Sequence, residues 1–254
     1  MKLGQITSYI DVAQVTLYVF WIFFAGLIFW IRREDRREGY PLISEPGNTV
    51  KNPGFIYIPP PKYFNLADGT TVVAPDDARA DNRTHNMVKL EPWPGAPVVP
   101  VGDPMLAGVG PGSYAERSDK PDMMHNQVKI VPLRVATGFF IEDCEHDPRG
   151  MDVVGADGRS GGKVTDAWVD RMEVLIRYLE VDTGARRVLL PINFSKIDGA
   201  RNVVNVEAIM GSQFAAVPAT ASPDQVTLLE EDKICAYYGA GTLYADASRS
   251  EPLL

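Results

Sequence analysis

The sequence predicts a single transmembrane α-helix followed by a mainly β domain, a small antiparallel barrel with a helix near the carboxy terminus. The helix is indicated by an apolar stretch from Val12 to Ile31 that contains no charged residue. The barrel is indicated by short strand-like runs, separated by turn residues, between about Val128 and Ala208. The second helix is indicated by capping residues that begin at Ser222.

The apolar stretch has the length of a membrane span. About 20 helical residues at ~1.5 Å each cover ~30 Å, the thickness of the hydrocarbon core of a bilayer. Tyr9 and Trp30 lie where aromatic interface anchors are expected. A secretory signal peptide is the alternative, but the apolar run is too long, and a small-residue cleavage site is missing.

The charges that flank this stretch predict its orientation. The stretch is followed at once by four arginines, Arg32, Arg33, Arg36 and Arg37. Positive charge collects on the cytoplasmic side, so we expect the domain after the helix to lie in the cytoplasm and the amino terminus on the opposite side of the membrane. The arginines are candidates for contact with anionic lipid headgroups or with acidic patches on partner subunits. A purely topogenic role is the simpler interpretation.

The composition excludes several function classes. The chain of 254 residues has a net charge of −8, and an acidic body argues against nucleic acid as a partner. Cys144 and Cys235 are far apart and indicate neither a disulfide framework nor a metal site. A pairing of Cys144 with His146 is conceivable, but surface-loop positions are the simpler interpretation. No nucleotide-binding loop, nucleophile elbow or metal-ligand spacing is present, so we expect a non-enzymatic protein without catalytic, cofactor-binding or metal-binding residues.

Five parts are expected along the chain. They are a periplasmic terminus (1–10), the transmembrane helix (11–31), a basic and Pro/Gly-rich surface segment (32–117), the β-barrel domain (118–220), and a carboxy-terminal helix with its tail (221–254). The surface segment has two strand-like runs, Phe55–Ile58 and Thr70–Val73, with a turn at 67–69. It cannot build its own core, so it is either ordered on another surface or a flexible tether.

The barrel domain is predicted from five strand candidates. Turn residues separate them at 157–159, 182–184 and 198–200. The candidates are Val128–Val135, Gly162–Asp170, Leu175–Val181, Arg187–Ile192 and Val203–Ala208.

The final helix is predicted from local capping chemistry. Ser222 is expected as its N-cap, with Pro223 at the first helical position and Gln225 as the capping-box partner. The buried face is expected to contain Val226, Leu229 and Ile234. Gly239 or Gly241 is expected to end the helix, and residues 245–254 to form a frayed tail.

Several longer stretches together resemble one known family. They lie in the helix, at its exit, and through the later part of the chain, at Phe20–Ile28, Arg32–Leu42, Gly102–Met105, Gly108–Pro111, Asp147–Gly150, Gly162–Asp170, Arg177–Val181 and Val226–Tyr238. In this order they resemble the H subunit of the photosynthetic reaction centre of purple bacteria. The resemblance covers nearly the whole length and implies a barrel of the PRC type.

The resemblance implies a subunit that binds no pigment itself. In that family the H subunit caps the cytoplasmic face of the L and M subunits, stabilises their assembly and helps to carry protons to the secondary quinone. The partner subunits are expected to carry bacteriochlorophyll, bacteriopheophytin, quinones and non-haem iron. Membrane lipids, a cytochrome subunit and a light-harvesting antenna are further possible neighbours. The transmembrane helix contains no histidine, which agrees with a subunit that ligates no pigment.

The resemblance also implies the residues of a proton route. Glu173 matches a glutamate of the family on the route to the secondary quinone, Asp170 is close to it in sequence, and Arg177 is their expected charge partner. Burial and mutual repulsion are expected to raise carboxylate pKa values toward neutrality. Without the resemblance, Glu173 is simply a solvated turn residue.

The proton entry point is less complete in this sequence. Some family members have two histidines and an upstream aspartate, which align here with His125, Gln127 and Met123. Asp122 is a possible substitute for that aspartate. His125 can exchange protons at neutral pH, although an ordinary exposed histidine is an equally good interpretation.

A second class of function stays open at this point. PRC-type barrels also occur outside photosynthesis, so a single-span, membrane-tethered interaction module unrelated to photosynthesis is the alternative.

Overall fold

A computed structural model describes residues 4, 6–7, 10–40, 42–44, 48–49, 54–76, 84–93 and 95–250. The chain forms two compact units, Met1–Asn82 with Trp93–Gly95 and Arg83–Pro92 with Ala96–Leu254. Tyr9, proposed above as an interface anchor, lies outside the described residues. The predicted boundaries of the five parts stay predictions.

The first unit begins with the predicted transmembrane helix. Helix α1 covers Val12–Glu34 and continues as one 3-10 turn, Asp35–Arg37. The side chain of Asp11 caps its start by accepting a hydrogen bond from the backbone N–H of Gln14 at 2.8 Å. Among the described residues, α1 is the one helix long and apolar enough to cross a membrane, and none of its residues is buried within the unit. An apolar surface on every side is the pattern of a lipid-facing span.

Two short hairpins complete the described part of this unit. One joins β1 (Ile43–Ser44) to β2 (Asn48–Thr49), and the other joins β3 (Lys62–Asn65) to β4 (Thr71–Ala74). The prediction of a strand at Phe55–Ile58 is wrong. The run predicted at Thr70–Val73 forms β4, and its partner is β3. The turn predicted at 67–69 is present and is stabilised by Asp68, which accepts hydrogen bonds from Thr70.

The second unit contains the remaining strands and the second helix. Two hairpins come first, and a seven-stranded sheet follows. The hairpin strands are β5 (Met87–Lys89), β6 (Val98–Pro100), β7 (Met123–Met124) and β8 (Gln127–Val128). The sheet strands are β9 (Ile130–Pro132), β10 (Asp152–Val154), β11 (Ser160–Asp170), β12 (Leu175–Asp182), β13 (Arg187–Pro191), β14 (Lys196–Asp198) and β15 (Val203–Asn205).

The sheet confirms the predicted fold class and adds one departure from it. Its strand order is β13-β12-β11-β10-β15-β14, with β9 also paired to β11. The pairing is antiparallel except between β10 and β15, which run parallel. The predicted strands Gly162–Asp170, Leu175–Val181 and Arg187–Ile192 are confirmed to within two residues at each end, and the strand predicted at Val203–Ala208 ends earlier, at Asn205. The predicted strand Val128–Val135 is divided between β8 and β9, and β10 and β14 were not predicted.

The sheet encloses one main hydrophobic core. Trp168 of β11 and Leu179 of β12 are almost completely buried, and the second helix contributes Ile234 and Tyr238. The ring of Tyr238 stacks on Phe194 with centroids 5.6 Å apart. Apolar burial of this extent is the dominant stabilising term for a domain of this size.

The second helix, α2, begins later than the sequence predicts. It covers Leu228–Tyr244, and its N-cap is Thr227, whose hydroxyl accepts from the N–H of Glu230 at 3.1 Å. The Glu230 carboxylate in turn accepts from the N–H of Thr227 at 2.9 Å, which completes a capping box. The prediction of Ser222 as N-cap is therefore wrong, because a better box lies further along the chain.

The predicted end of α2 is also wrong. Gly239 and Gly241 lie inside the helix, where a Cβ atom would come within 2.7 Å of the carbonyl oxygen of Pro111 and 2.4 Å of that of Ala208, respectively. These glycines allow close packing and do not end the helix. Beyond it, Arg249 donates to the carbonyl oxygens of Ala208 and Gly241 at 2.9 and 2.7 Å, so residues 245–250 are not frayed. Residues 251–254 lie outside the described part.

Candidate functional site

The predicted proton-route residues meet at the turn between β11 and β12. Asp170 ends β11, and its side chain is 0% exposed, whereas that of Glu173 is 47% exposed. Arg177 bridges them, with Nη2 at 2.7 Å from Glu173 Oε2 and Nε at 3.3 Å from Asp170 Oδ2. The structure therefore brings together three of the four residues that the sequence selected.

A fourth group, Lys129, was missed by the sequence reasoning. Its Nζ atom lies 3.3 Å from Asp170 Oδ2, 3.6 Å from Glu173 Oε1 and 3.5 Å from Asp122 Oδ2. The only signal in the sequence was a lysine between the apolar residues of a predicted strand, which does not tell which carboxylates it meets. We refer to Asp122, Lys129, Asp170, Glu173 and Arg177 as the turn cluster.

The buried carboxylate of the turn cluster is stabilised in its ionised form. Burial by itself would raise the pKa of Asp170, but the backbone N–H groups of Glu173 and Met172, each 3.0 Å from Oδ1, and the ammonium of Lys129 lower that pKa below its ordinary value. Burial likewise tends to lower the pKa of Lys129, and its carboxylate partners raise it. The expectation of a raised carboxylate pKa is therefore wrong for Asp170, because donors and cations outweigh burial.

His125 lies in the turn of a hairpin next to the turn cluster. It is exposed, has a left-handed backbone (φ 46°) and connects β7 to β8. Arg171 attaches this hairpin to the β11–β12 turn, because its guanidinium donates to Gln127 Oε1 at 3.1 Å and to the carbonyl oxygen of Val128. The structure thus connects the hairpin to the turn cluster. Among the described residues, no hydrogen bond or ion pair joins the side chain of His125 to those of the cluster.

Helix α2 supplies another carboxylate close to this region. The hydroxyl of Tyr178, next to Arg177 on β12, donates to Glu231 Oε2 at 2.7 Å. Burial raises the pKa of Glu231, and the hydrogen bond from Tyr178 and the charges of Arg117 and Arg177 offset this only in part. The hydrogen bond from Tyr178 holds the side chain of Glu231 against the sheet.

A second charged network lies on the neighbouring part of the sheet. Arg134 Nη1 contacts Asp166 Oδ2 at 3.0 Å and Glu180 Oε2 at 2.8 Å, and the indole N–H of Trp168 also donates to Glu180 at 3.1 Å. Both carboxylates are buried. Burial by itself would raise the pKa of Glu180. The hydrogen-bond donors lower this pKa by more than burial raises it, so the pKa lies below its ordinary value. Full pairing of this kind fits a structural role.

The four arginines after α1 divide into two pairs. Arg36 donates to the carbonyl oxygen of Ile56, and Arg37 donates to those of Pro60 and Ala74 at 2.8 and 2.9 Å. Arg32 and Arg33 lie 3.7 and 3.6 Å from the carboxylates of Asp35 and Glu34. Arg36 and Arg37 therefore contact backbone carbonyl groups of the chain, Arg32 and Arg33 contact its carboxylates, and lipid or partner contact of the four arginines stays a prediction.

Metal and thiol chemistry have no assembled site in the described part of the chain. No three His, Cys, Asp or Glu side chains are grouped there as metal ligands require. Cys144 and Cys235 are both free thiols.

Comparison with protein families agrees with this arrangement of membrane helix and barrel. Residues 4–135, more than half of the chain, match the photosynthetic reaction centre H-chain N-terminal region. Residues 145–211 match the PRC-barrel domain. The chain belongs to the reaction centre H-chain family. The H-chain match includes α1 and the hairpin with His125, and the barrel match includes Asp170, Glu173 and Arg177.

Membership of the H-chain family settles the broad class of this protein. The H chain is a membrane-anchored, structural subunit of a photosynthetic reaction centre, in which the partner subunits carry the pigments. The alternative of a tethered barrel module unrelated to photosynthesis does not agree with the H-chain match, which also covers the membrane helix.

Proposed function

We propose that this H chain caps the cytoplasmic face of the L and M subunits, stabilises their assembly and assists proton transfer to the secondary quinone. Reduction of a quinone to a quinol consumes two electrons and two protons. A buried quinone needs protonatable groups that lead inward from the cytoplasm. The observation that carries the proposal is the turn cluster, in which a half-exposed glutamate lies between two cations and above a buried carboxylate.

Within this proposal, Glu173 and Asp170 have different tasks. Glu173 is accessible and carries the moving proton, because its carboxylate is the exposed member of the pair. Asp170 stays ionised and holds Lys129 and Arg177 in place, because its pKa is lowered by buried hydrogen bonds. Glu173 then exchanges a proton without a change in the charge of the buried group beneath it.

His125 is proposed as the point where protons enter from the cytoplasm. Its side chain is exposed at the turn of the β7–β8 hairpin, where it can meet water. Lys129 and Arg171 attach its hairpin to the β11–β12 turn, which supports transfer from the hairpin toward Glu173. Water molecules would complete the path between exposed groups.

The proposed orientation and partners follow the same reasoning. The arginines after α1 favour a cytoplasmic barrel and a periplasmic amino terminus in the bacterial inner membrane. Arg32 and Arg33 are proposed to contact lipid or partner subunits at that boundary. A cytochrome subunit and an antenna are further proposed neighbours in the same complex.

The test is flash-induced proton uptake by the assembled complex that carries Glu173→Gln. We expect slower proton-coupled reduction of the secondary quinone and an unchanged first charge separation, because Gln keeps the shape but cannot take up a proton. Glu142→Gln is the matched control, an exposed glutamate elsewhere in the same unit. Normal proton uptake in Glu173→Gln would remove Glu173 from the mechanism.

A further inference from the structure

A loop of the first unit folds back onto the carboxy-terminal end of the membrane helix. We refer to residues 54–64 as the return loop. Arg36 donates to the carbonyl oxygen of Ile56, and Arg37 donates to that of Pro60 at 2.8 Å. These hydrogen bonds, from two arginines at the end of the helix, hold the backbone of the return loop close to that end. The position of the return loop along the helix axis is therefore determined by the helix itself.

Phe55 of the return loop contacts a residue inside the apolar span. Its ring centroid lies 5.9 Å from that of Phe29, with an edge-on angle of 62°. Phe29 precedes Glu34, the last residue of α1, by about 7.5 Å along the axis, and belongs to the stretch that crosses the hydrocarbon core. Phe55 therefore lies at the depth where acyl chains meet headgroups.

The same side chain is not covered by its own chain. Phe55 is 89% exposed within its unit, and exposed apolar rings are unfavourable in water. At the depth of Phe29 the surroundings of α1 are acyl chains, which accept such a ring without cost. The exposure and the depth together indicate lipid as the occupant.

The residues around Phe55 have the composition of a membrane interface. Tyr57 and Tyr63 are exposed aromatic residues with a polar tip. Lys62 extends over the ring of Phe64 with Nζ at 5.2 Å from the centroid, and the side chain of Arg32 is 64% exposed. Aromatic and basic side chains of the return loop and of the helix end match the apolar boundary and anionic headgroups of a bilayer leaflet.

We propose that the return loop is a second membrane contact, in which Phe55 inserts into the boundary between acyl chains and anionic headgroups beside α1. The loop thereby fixes the height of the helix end relative to the bilayer surface. This role depends on the membrane span and not on proton transfer, so either proposal can fail without the other.

The test uses a nitroxide spin label attached to Phe55→Cys in the full-length chain. The native thiols are removed by Cys144→Ser and Cys235→Ser, and the assembled complex is placed in lipid nanodiscs. Collision with oxygen, which concentrates in lipid, is compared with collision with a water-soluble nickel chelate. We expect the label at this position to collide more often with oxygen than with the nickel chelate. Phe140→Cys, whose native ring is 74% exposed on the other unit, is the control and is expected to favour nickel.

Two results would overturn the proposal. A nickel-accessible label at Phe55→Cys would place the loop in water. A label shielded from both reagents would show that a partner subunit, and not lipid, covers it. A second measurement avoids the label. In nanodiscs with bromine near the acyl carbonyls, Phe55→Trp should lose a larger part of its fluorescence than Phe140→Trp, since the tryptophans of α1 are common to both, and equal losses would contradict insertion.

Discussion

The ammonium of Lys129 lies 3.3 Å from Oδ2 of Asp170, whose side chain is completely buried. This pair connects the strand after the His125 hairpin to the turn that carries Glu173. Lys129 is itself mostly buried, so the interaction is screened from water much less than a surface pair. The consequences can be measured by substitution.

Replacement of Lys129 by Met is expected to destabilise the fold. Asp170 would keep Arg177 and two backbone donors but lose one buried cation, which costs roughly 1–3 kcal/mol in the free energy of unfolding. Urea unfolding of the full-length chain in detergent, followed by tryptophan fluorescence, measures this. Lys163→Met removes the exposed pair with Asp152, 3.3 Å long, and is the control. The control is expected to lose about 0–1 kcal/mol in the free energy of unfolding. A loss for Lys129→Met that is no larger would show that Lys129 does not stabilise the buried carboxylate.

The raised pKa of Glu231 predicts a dependence of stability on pH. A carboxyl group whose pKa is higher in the folded chain binds its proton more tightly there, so its stabilising contribution is full below the unfolded pKa of about 4.3. The contribution is lost as the pH rises through the folded pKa. The unfolding free energy of the wild type should therefore fall relative to that of Glu231→Gln across this window.

Asp170 provides the opposite sign for comparison. Its pKa is lowered in the folded chain, so its contribution is present above the unfolded pKa and is lost as the pH falls through the folded pKa. Asp170→Asn should be less stable than the wild type at neutral pH, and the difference should shrink in acid. The same trend in both variants would show that one assigned shift has the wrong direction.

The start of α2 can be tested with two substitutions. Thr227→Ala removes the N-cap hydroxyl that accepts from Glu230, and we expect a loss of about 1 kcal/mol in unfolding free energy. Ser222→Ala changes the residue that local sequence chemistry favours, and its hydroxyl makes only a 3.5 Å contact with the N–H of Asp224. Thermal unfolding of both variants should show a loss for Thr227→Ala alone. A larger loss of stability for Ser222→Ala would indicate that the helix begins at Ser222.

Two adjacent tyrosines of α2 are expected to respond differently to loss of the hydroxyl. Tyr237 donates to the carbonyl oxygen of Gln213 at 2.9 Å, so Tyr237→Phe should lose about 1 kcal/mol. The hydroxyl of Tyr238 is buried and has no hydrogen-bond partner in the part of the chain that the structure describes. Tyr238→Phe should therefore keep or increase the unfolding free energy. A clear loss at Tyr238 in urea unfolding would reveal a partner for its hydroxyl.

Much of the architecture was predictable because it is written in local patterns. The uninterrupted apolar run predicts α1 independently of the rest of the chain. Strand-like runs that are separated by turn residues locate β11, β12 and β13. The turn from Asp170 to Glu173 follows from the ends of its two strands. The resemblance then selected Glu173 and Arg177, which the structure brings within 2.7 Å.

Tertiary structure alone decided the remaining features, because they depend on groups distant along the chain. Lys129 meets Asp170 only when β9 pairs with β11, and no local pattern encodes that pairing. Gly239 and Gly241 continue the helix because backbone carbonyls approach them from other segments. The lowered pKa of Asp170 likewise results from donors and cations that folding assembles around a buried oxygen. Sequence determined which elements form, and packing determined which charges they place together.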